Sequence, residues 1–221
     1  MSTAILVDGG FYRKKALRIW GEKTAKERAD ELMHYCRCHI SDRDGDAKRN
    51  LYRIFYYDCP PISKNVYNPI TQRNENLKKS NTYKWSEAFL QELSHRRKVA
   101  LRLGKLSDIS TGYRLKHDVF KDLCSQKRKF ETLTVSDIQL DIVQKGVDMK
   151  LGLDILNLSY KKLVSQIILI SGDSDFVPAA KMARREGIDF ILDPMGGSIS
   201  DDLIEHIDGM MSHWRDTRMT K

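Results

Sequence analysis

The stretch Ile167–Phe176, with the sequence IILISGDSDF, decides the fold. Four apolar residues, three of them β-branched, lead directly into a turn of small residues that carries Asp173 and Asp175. An uninterrupted apolar run of this kind is typical of a strand buried on both faces of a parallel sheet. Because ligands of such sheets bind outside the carboxyl ends of the strands, the stretch predicts two carboxylates at a ligand-binding edge.

The start of the chain repeats this design. Residues 4–11, AILVDGGF, form a second apolar run that ends in Asp8 and is followed by Gly9 and Gly10, which permit a tight turn and the close approach of a ligand. We expect the two strands to bring Asp8, Asp173 and Asp175 together. Crowded carboxylates repel one another unless a cation neutralises them, and hard oxygen ligands favour Mg²⁺ or Mn²⁺.

A third acidic position opens a predicted helix after residue 144. The apolar face of this helix repeats at helical spacing through Val147, Leu151, Ile155 and Leu158. Asp148 lies in the first turn, where the helix dipole favours an anion. Asp154 is six residues further on and points in another direction, so we prefer Asp148 as the direct ligand and keep Asp154 as a supporting residue. Lys145 is predicted to contact a phosphate.

Strands and helices alternate along the rest of the chain. The five predicted strands are 4–8, 51–57, 98–106, 167–171 and 188–192. A largely helical segment at 11–38 is expected to break at Trp20-Gly21, and 62–82 is expected to be loop-like. The alternation predicts an α/β fold with a central, mostly parallel sheet of about five strands and right-handed crossovers. We expect a single domain over 1–221, with insertions near 60–85 and 107–141.

Composition limits the class of protein. The chain has 221 residues and a net charge of +8, although 30 residues are acidic and several of these fall in the predicted site. No apolar run approaches the ~20 residues of a membrane span, and Asp8 interrupts the only early apolar segment, so we expect a cytoplasmic protein without a membrane partner. The four cysteines form no disulfide framework. A zinc site at Cys36, Cys38 and His39 lacks the usual ligand spacing and is disfavoured.

Basic residues follow the first carboxylate closely. Arg13 and Lys14 are placed to hold a phosphate backbone, although a solvated helix face explains them equally well. In the segment 62–85, cations are interleaved with Tyr67 and Trp85, a mixture that suits single-stranded nucleic acid but also a solvated insertion. Phosphodiester chemistry requires carboxylates that hold a metal and cations that hold the backbone of the nucleic acid, and an acidic site in a basic protein provides both.

Three motifs resemble those of the NYN domain family, within the PIN-like nuclease superfamily. They are Val7-Asp8-Gly9-Gly10, Lys145-Gly146-Val147-Asp148 with Asp154, and Ser171–Phe176. The resemblance implies a three-layer α/β/α PIN-like fold and a divalent-metal ribonuclease site at Asp8, Asp148, Asp173 and Asp175. Many NYN members carry Asn two residues after the first motif's glycine, where this chain has Phe11. A polar contact near the metal or substrate is therefore missing or supplied elsewhere.

The residues and the resemblance together predict metal-assisted hydrolysis of RNA, with single-stranded RNA as the expected substrate and DNA as the alternative. Ser171 is expected to orient a ligand or a water molecule, and Gly9 to support the first acid. A non-catalytic RNA-binding or regulatory module is the second reading, and a homodimer is considered for either. A haloacid-dehalogenase phosphatase would need an acid at Gly10, and the Asp8-Gly-Gly turn lacks the glycine spacing of a dinucleotide site.

Overall fold

The computed structural model describes residues 2–41, 49–106, 111–142 and 144–215. Its strands are β1 (Ser2–Asp8), β2 (Asn50–Asp58), β3 (Asn65–Asn68), β4 (Arg73–Asn76), β5 (Val99–Leu103), β6 (Lys105–Leu106), β7 (Gly112–Leu115), β8 (Ile138–Asp141), β9 (Gln144–Lys145), β10 (Gln166–Ile170), β11 (Asp189–Asp193) and β12 (Gly209–Met210). Its α-helices are α1 (Gly9–Trp20), α2 (Ala25–Cys38), α3 (Asn81–Ser94), α4 (His117–Cys124), α5 (Val147–Tyr160), α6 (Val177–Arg185) and α7 (Asp201–Glu205).

The apolar run at Ile167 is the core of β10, in a six-stranded parallel sheet of order β12-β11-β10-β1-β2-β5. The two apolar runs of the sequence are therefore neighbouring strands, and Val7 of β1 lies opposite Ile170 of β10. All five residues of β10 are buried, as expected for a strand covered on both faces. This register places the residues that follow β1 and β10 side by side at the carboxyl edge.

Helices cover both faces of the sheet. Ala4 and Leu6 face a core built with α5 and α6, while Ile5 and Val7 face a second core built with α1, α2 and α3. This alternation follows from the period-two geometry of a strand. The helices form one layer on each side of the sheet, and the predicted α/β/α fold is confirmed.

Several predicted elements differ from those observed. The segment expected to be loop-like contains an antiparallel pair, β3 and β4, whose polar sequence gives no alternating pattern. The predicted strand 98–106 divides at Gly104: β5 joins the main sheet, whereas β6 pairs with β9. The sheet has a sixth strand, β12, which is too short to show periodicity. Residues 107–110, at the start of the second predicted insertion, lie outside the described residues.

No helix in the described ranges combines the length and the apolar character that a membrane crossing requires. The break in the first helical segment is where it was expected, because α1 ends at Trp20 and Gly21 follows with a φ of +75°. Left-handed backbone of this kind is accessible to glycine without steric cost. Thr24 then starts α2 with a capping box, in which Glu27 is the reciprocal partner.

Candidate metal centre

Asp8 ends β1 and caps the N-terminus of α1. Its Oδ1 accepts a hydrogen bond of 3.0 Å from the backbone N–H of Phe11, which fixes the carboxylate at the edge of the sheet. Gly9 permits this geometry, because a Cβ at that position would lie 2.6 Å from both the ring of Tyr56 and the carbonyl oxygen of Tyr57. The turn after β1 is thus pressed directly onto β2.

Ser171 connects the first acid to the second acidic segment. This buried residue follows β10, and its hydroxyl donates to Asp8 Oδ2 over 3.3 Å. The same hydroxyl oxygen accepts the N–H of Asp173 at 3.3 Å, and Asp173 Oδ1 in turn accepts the N–H of Asp175 at 3.0 Å. A continuous chain of hydrogen bonds therefore runs from Asp8 to Asp175, across two parallel strands.

Asp148 approaches the same edge from α5. The helix begins after Gly146, whose φ of +79° turns the chain into it, and Asp148 is exposed in the first turn. Burial raises the pKa of Asp148, and the negative charges of Asp173 and Asp175 raise it further. Since this repulsion requires proximity, the structure brings together acids that are 25 or more residues apart in the sequence.

The electrostatics of Asp8 link it to the same group. Burial raises the pKa of Asp8, the N–H of Phe11 opposes that rise, and the charges of Asp148 and Asp58 add to it. Each repelling carboxylate comes from a different segment of the chain. The ionised forms of Asp8 and Asp148 are therefore disfavoured until positive charge arrives.

Asp58 is an additional acid at this edge. It ends β2, is 3% exposed, and forms an ion pair with Arg13 in which N and O are 3.1 Å apart. The Tyr56 hydroxyl and the Cys59 N–H also donate to it. Asp58 therefore already has a cationic partner, and it fixes Arg13 beside the site.

The structure places the remaining predicted residues as follows. Asp154 accepts hydrogen bonds of 2.8 Å from the Tyr57 hydroxyl and from Arg102 Nε, and it is not among the charges that act on Asp8 or Asp148. Lys145 is exposed in β9, just before α5. Lys14 is exposed on α1 and Arg13 is bound to Asp58, so the two predicted phosphate contacts of α1 differ in their freedom to move.

Phe11 occupies the position where many NYN members have Asn. Its ring packs against Gly172, where an added Cβ would lie 2.8 Å from Phe11 Cε2. The ammonium of Lys15 lies 5.6 Å from the ring centroid. Phe11 thus joins α1 to the turn that carries Asp173 through apolar packing, and no polar side chain replaces the usual Asn at this position.

The donors suit a hard divalent cation in type, although they are not gathered around a single point. Aspartate oxygens are the ligands that Mg²⁺ and Mn²⁺ prefer. Among the described residues, the one set of three His, Cys, Asp or Glu side chains with ligand atoms within 4.8 Å of one another is Asp202, Glu205 and His206, a mostly exposed group at α7. Within the same part of the chain, no three of the proposed site carboxylates meet this spacing.

A buried polar network lies at the carboxyl end of β11. Asp193 accepts hydrogen bonds from Tyr35 and Ser212, and His39 Nε2 lies 2.8 Å from Asp193 Oδ2. His39, which belongs to the disfavoured zinc motif, is therefore paired with a carboxylate. The apolar run of β11 ends in Asp193, as β1 ends in Asp8, and this repeated pattern could have indicated a further functional acid from the sequence.

Comparisons with known proteins give one family. Residues 81–213 match the model of the NYN domain. The solved structures include a protein of unknown function from Vibrio parahaemolyticus that is 13% identical; the alignment covers 95% of this chain and 91% of that chain, with a TM-score of 0.47. No curated protein matches the sequence.

Proposed function

Because the chain belongs to the NYN domain family of the PIN-like nuclease superfamily, we propose that it is a divalent-metal-dependent ribonuclease. Asp8, Asp148, Asp173 and Asp175 would hold Mg²⁺ or Mn²⁺ at the carboxyl edge of the sheet. Family membership supports nucleic acid as the substrate and a divalent metal as the cofactor. The residue assignments, the choice of RNA and the particular metals belong to the proposal.

The observation that carries the proposal is the convergence of these acids. Three separate segments of the chain deliver carboxylates to one edge, and their charges raise the pKa values of Asp8 and Asp148 after burial has done so. A structural ion pair would bring a cationic side chain to each acid, as Arg13 does for Asp58. For Asp148, the influences that raise the pKa after burial are instead the charges of two other acids, Asp173 and Asp175, which is the arrangement expected where a metal ion supplies the positive charge.

Each residue of the site has a defined task in this proposal. Asp8 and Asp173 are the anchored ligands, since backbone N–H groups and Ser171 hold their carboxylates or turns in place. Asp148 and Asp175 are exposed and complete the ligand set. When bound, a divalent ion at these residues would supply a water of lowered pKa and positive charge beside the phosphoryl oxygens. Lys14 and Lys145, both exposed, would hold the phosphate backbone.

Cleavage of labelled single-stranded RNA and DNA tests the proposal. Wild type, Asp173→Asn and Asp154→Asn would be incubated with Mg²⁺, Mn²⁺ or EDTA. We expect metal-dependent cleavage of RNA by the wild type and by Asp154→Asn, and none by Asp173→Asn. Asp154→Asn is the matched control, because it neutralises an aspartate that is engaged with Arg102. Equal cleavage by all three proteins would contradict the assignment of the site.

A regulatory RNA-binding module is the second candidate, and two observations favour it. Within the described residues, no three of the proposed carboxylates have ligand atoms within 4.8 Å of one another. Phe11 also replaces the usual Asn beside the acids. This candidate predicts that RNA is retained in a gel-shift by wild type and Asp173→Asn alike, with no cleavage under any metal condition.

A further inference from the structure

A groove of about 820 Å³ runs between α1 and α3, and none of the four proposed metal ligands lines it. It begins beside the candidate metal centre, since Gly10 lines it and a Cβ on Gly10 would lie 3.5 Å from Asp8 Oδ1. Side chains of α1, α2, the start of α3 and the segment before α5 form its walls. Its charged and aromatic lining residues are Arg13, Lys14, Glu22, Lys23, Arg28 and Trp85.

The lining of the groove carries four cations and one carboxylate. Three of the cations are fixed from behind by acids: Arg13 by Asp58 at 3.1 Å, and Lys23 and Arg28 by buried Glu31 at 2.7 and 2.5 Å. Because these ion pairs already hold the cationic side chains in place, the side chains lose little conformational entropy when a ligand binds. Lys14 is exposed and is free to follow a ligand.

One aromatic side chain is held rigidly in the wall. The indole of Trp85 stacks on Phe89, with ring centroids 5.1 Å apart and planes 13° apart, and its Nε1–H donates to the Lys23 carbonyl over 2.9 Å. The ring is half-buried and lines the groove. A fixed ring beside fixed cations is the combination that binds an unpaired base together with its phosphate.

We propose that this groove binds a single-stranded nucleic acid next to the position of the scissile phosphate. Trp85 contacts a base, and Lys14 contacts a phosphate between that base and the acids. An unpaired strand is required, because the base faces of a duplex are already stacked. The location of the cut rests on the proposed function, whereas binding in the groove does not.

Binding of short fluorescent oligonucleotides to Asp173→Asn, measured by anisotropy in EDTA, tests the groove without cleavage. Adding Trp85→Ala should weaken single-stranded binding about 5- to 150-fold, the range of one lost base stack. Adding Lys14→Ala should lower the salt dependence by about 0.7 log units per log unit of salt, equivalent to one phosphate contact. Lys181→Ala is the matched control, because Lys181 is an exposed lysine of α6 that lines a different depression; it should change neither quantity.

A fluorescence measurement tests binding without changing any residue that lines the groove. In Trp20→Phe/Trp214→Phe, Trp85 is the remaining tryptophan of the three, and single-stranded oligonucleotides should quench its emission whereas duplexes should not. Paired RNA and DNA strands of one sequence show which backbone the groove prefers. The proposal is overturned if single strands leave the emission unchanged, if duplexes bind as tightly, or if Lys181→Ala weakens binding as much as Trp85→Ala. If cleavage persists in those cases, only the groove proposal is rejected and the proposed nuclease activity is retained. If the groove binds single strands but no cleavage is seen, only the proposed nuclease activity is rejected.

Discussion

Replacing Gly9 with alanine should destabilise the protein and displace the first carboxylate. The new Cβ would lie 2.6 Å from the Tyr56 ring and from the Tyr57 carbonyl oxygen, about 0.8 Å closer than the 3.4 Å at which ordinary contact begins. Neither neighbour can move easily. The Tyr56 ring is fully buried and its hydroxyl donates to Asp58, while the Tyr57 oxygen belongs to the backbone of β2.

The first turn of α1 must therefore move, and the N–H of Phe11 moves away from Asp8 with it. Overpacking of this kind costs ~1–3 kcal/mol, and weakening the cap adds to that cost. For a chain of this length, a loss of ~2 kcal/mol lowers Tm by about 4–8 °C. A displacement of that size at a ligand is also expected to lower cleavage by about 100-fold.

Thermal and urea unfolding in EDTA, followed by circular dichroism, measure the loss of stability. The RNA cleavage assay measures the loss of activity. Gly152→Ala is the matched control, because it makes the same chemical change within α5 where no heavy atom lies within 4 Å. This control should raise stability by up to ~1 kcal/mol. The reasoning is refuted if Gly9→Ala unfolds at or above the wild-type temperature.

Three further substitutions test separate parts of the structure. Asp193→Asn should lower the free energy of unfolding by ~3–5 kcal/mol near neutral pH, because it breaks a buried charged network. Burial raises the pKa of Asp193, but its bonds to His39, Ser212 and Tyr35 hold the pKa below its ordinary 3.8. The stabilisation by this network is therefore present above about pH 4 and is lost as the pH falls through the folded-state pKa. Asp154→Asn should cost less than ~1 kcal/mol, because its ion pair with Arg102 is partly exposed, and should leave cleavage unchanged. Asp148→Asn should raise stability in EDTA by less than ~1 kcal/mol, because it removes a charge that partial burial and the nearby Asp173 and Asp175 disfavour but that solvent largely screens. It should also abolish the stabilisation that metal gives the wild type.

Urea titrations at several pH values measure the first of these effects, with exposed Asp201→Asn as the control. A difference between Asp193→Asn and wild type that stays constant from pH 6 to pH 3 contradicts the network's electrostatic role. Loss of cleavage in Asp154→Asn would return that residue to the site. A destabilised Asp148→Asn in EDTA would show that its charge is favourable in the folded chain and that the repulsion argument is wrong.

Local patterns in the sequence were sufficient for the centre of the fold. Two apolar runs followed by acids predicted buried strands of a parallel sheet, and both strands lie in that sheet, with Val7 opposite Ile170. Parallel strands end at one edge, so Asp8 and the turn after β10 were expected at the same edge, whereas the direct pairing of β1 with β10 is visible only in the structure. The helix period likewise separated Asp148 from Asp154, which the structure places on different partners.

Other features depend on distant partners that a single sequence does not reveal. Asp58 is paired with Arg13, 45 residues away, and Asp193 with His39, 154 residues away. Both acids end strands in the same way as Asp8, and only the tertiary neighbours separate an ion pair from a site acid. The i, i+4 spacing of Trp85 and Phe89 was visible, but the groove that Trp85 lines depends on how α1 and α3 pack.

Crystals of the protein soaked in Mn²⁺ test the central claim most directly, through the anomalous scattering of the metal. We predict an anomalous peak bounded by Asp8, Asp148 and Asp173 in the wild type, and its loss in Asp173→Asn. Anomalous density confined to Asp202, Glu205 and His206, the one closely spaced set of potential ligands among the described residues, would contradict it. Crystals with no peak at the carboxyl edge of β1 and β10 would contradict it equally.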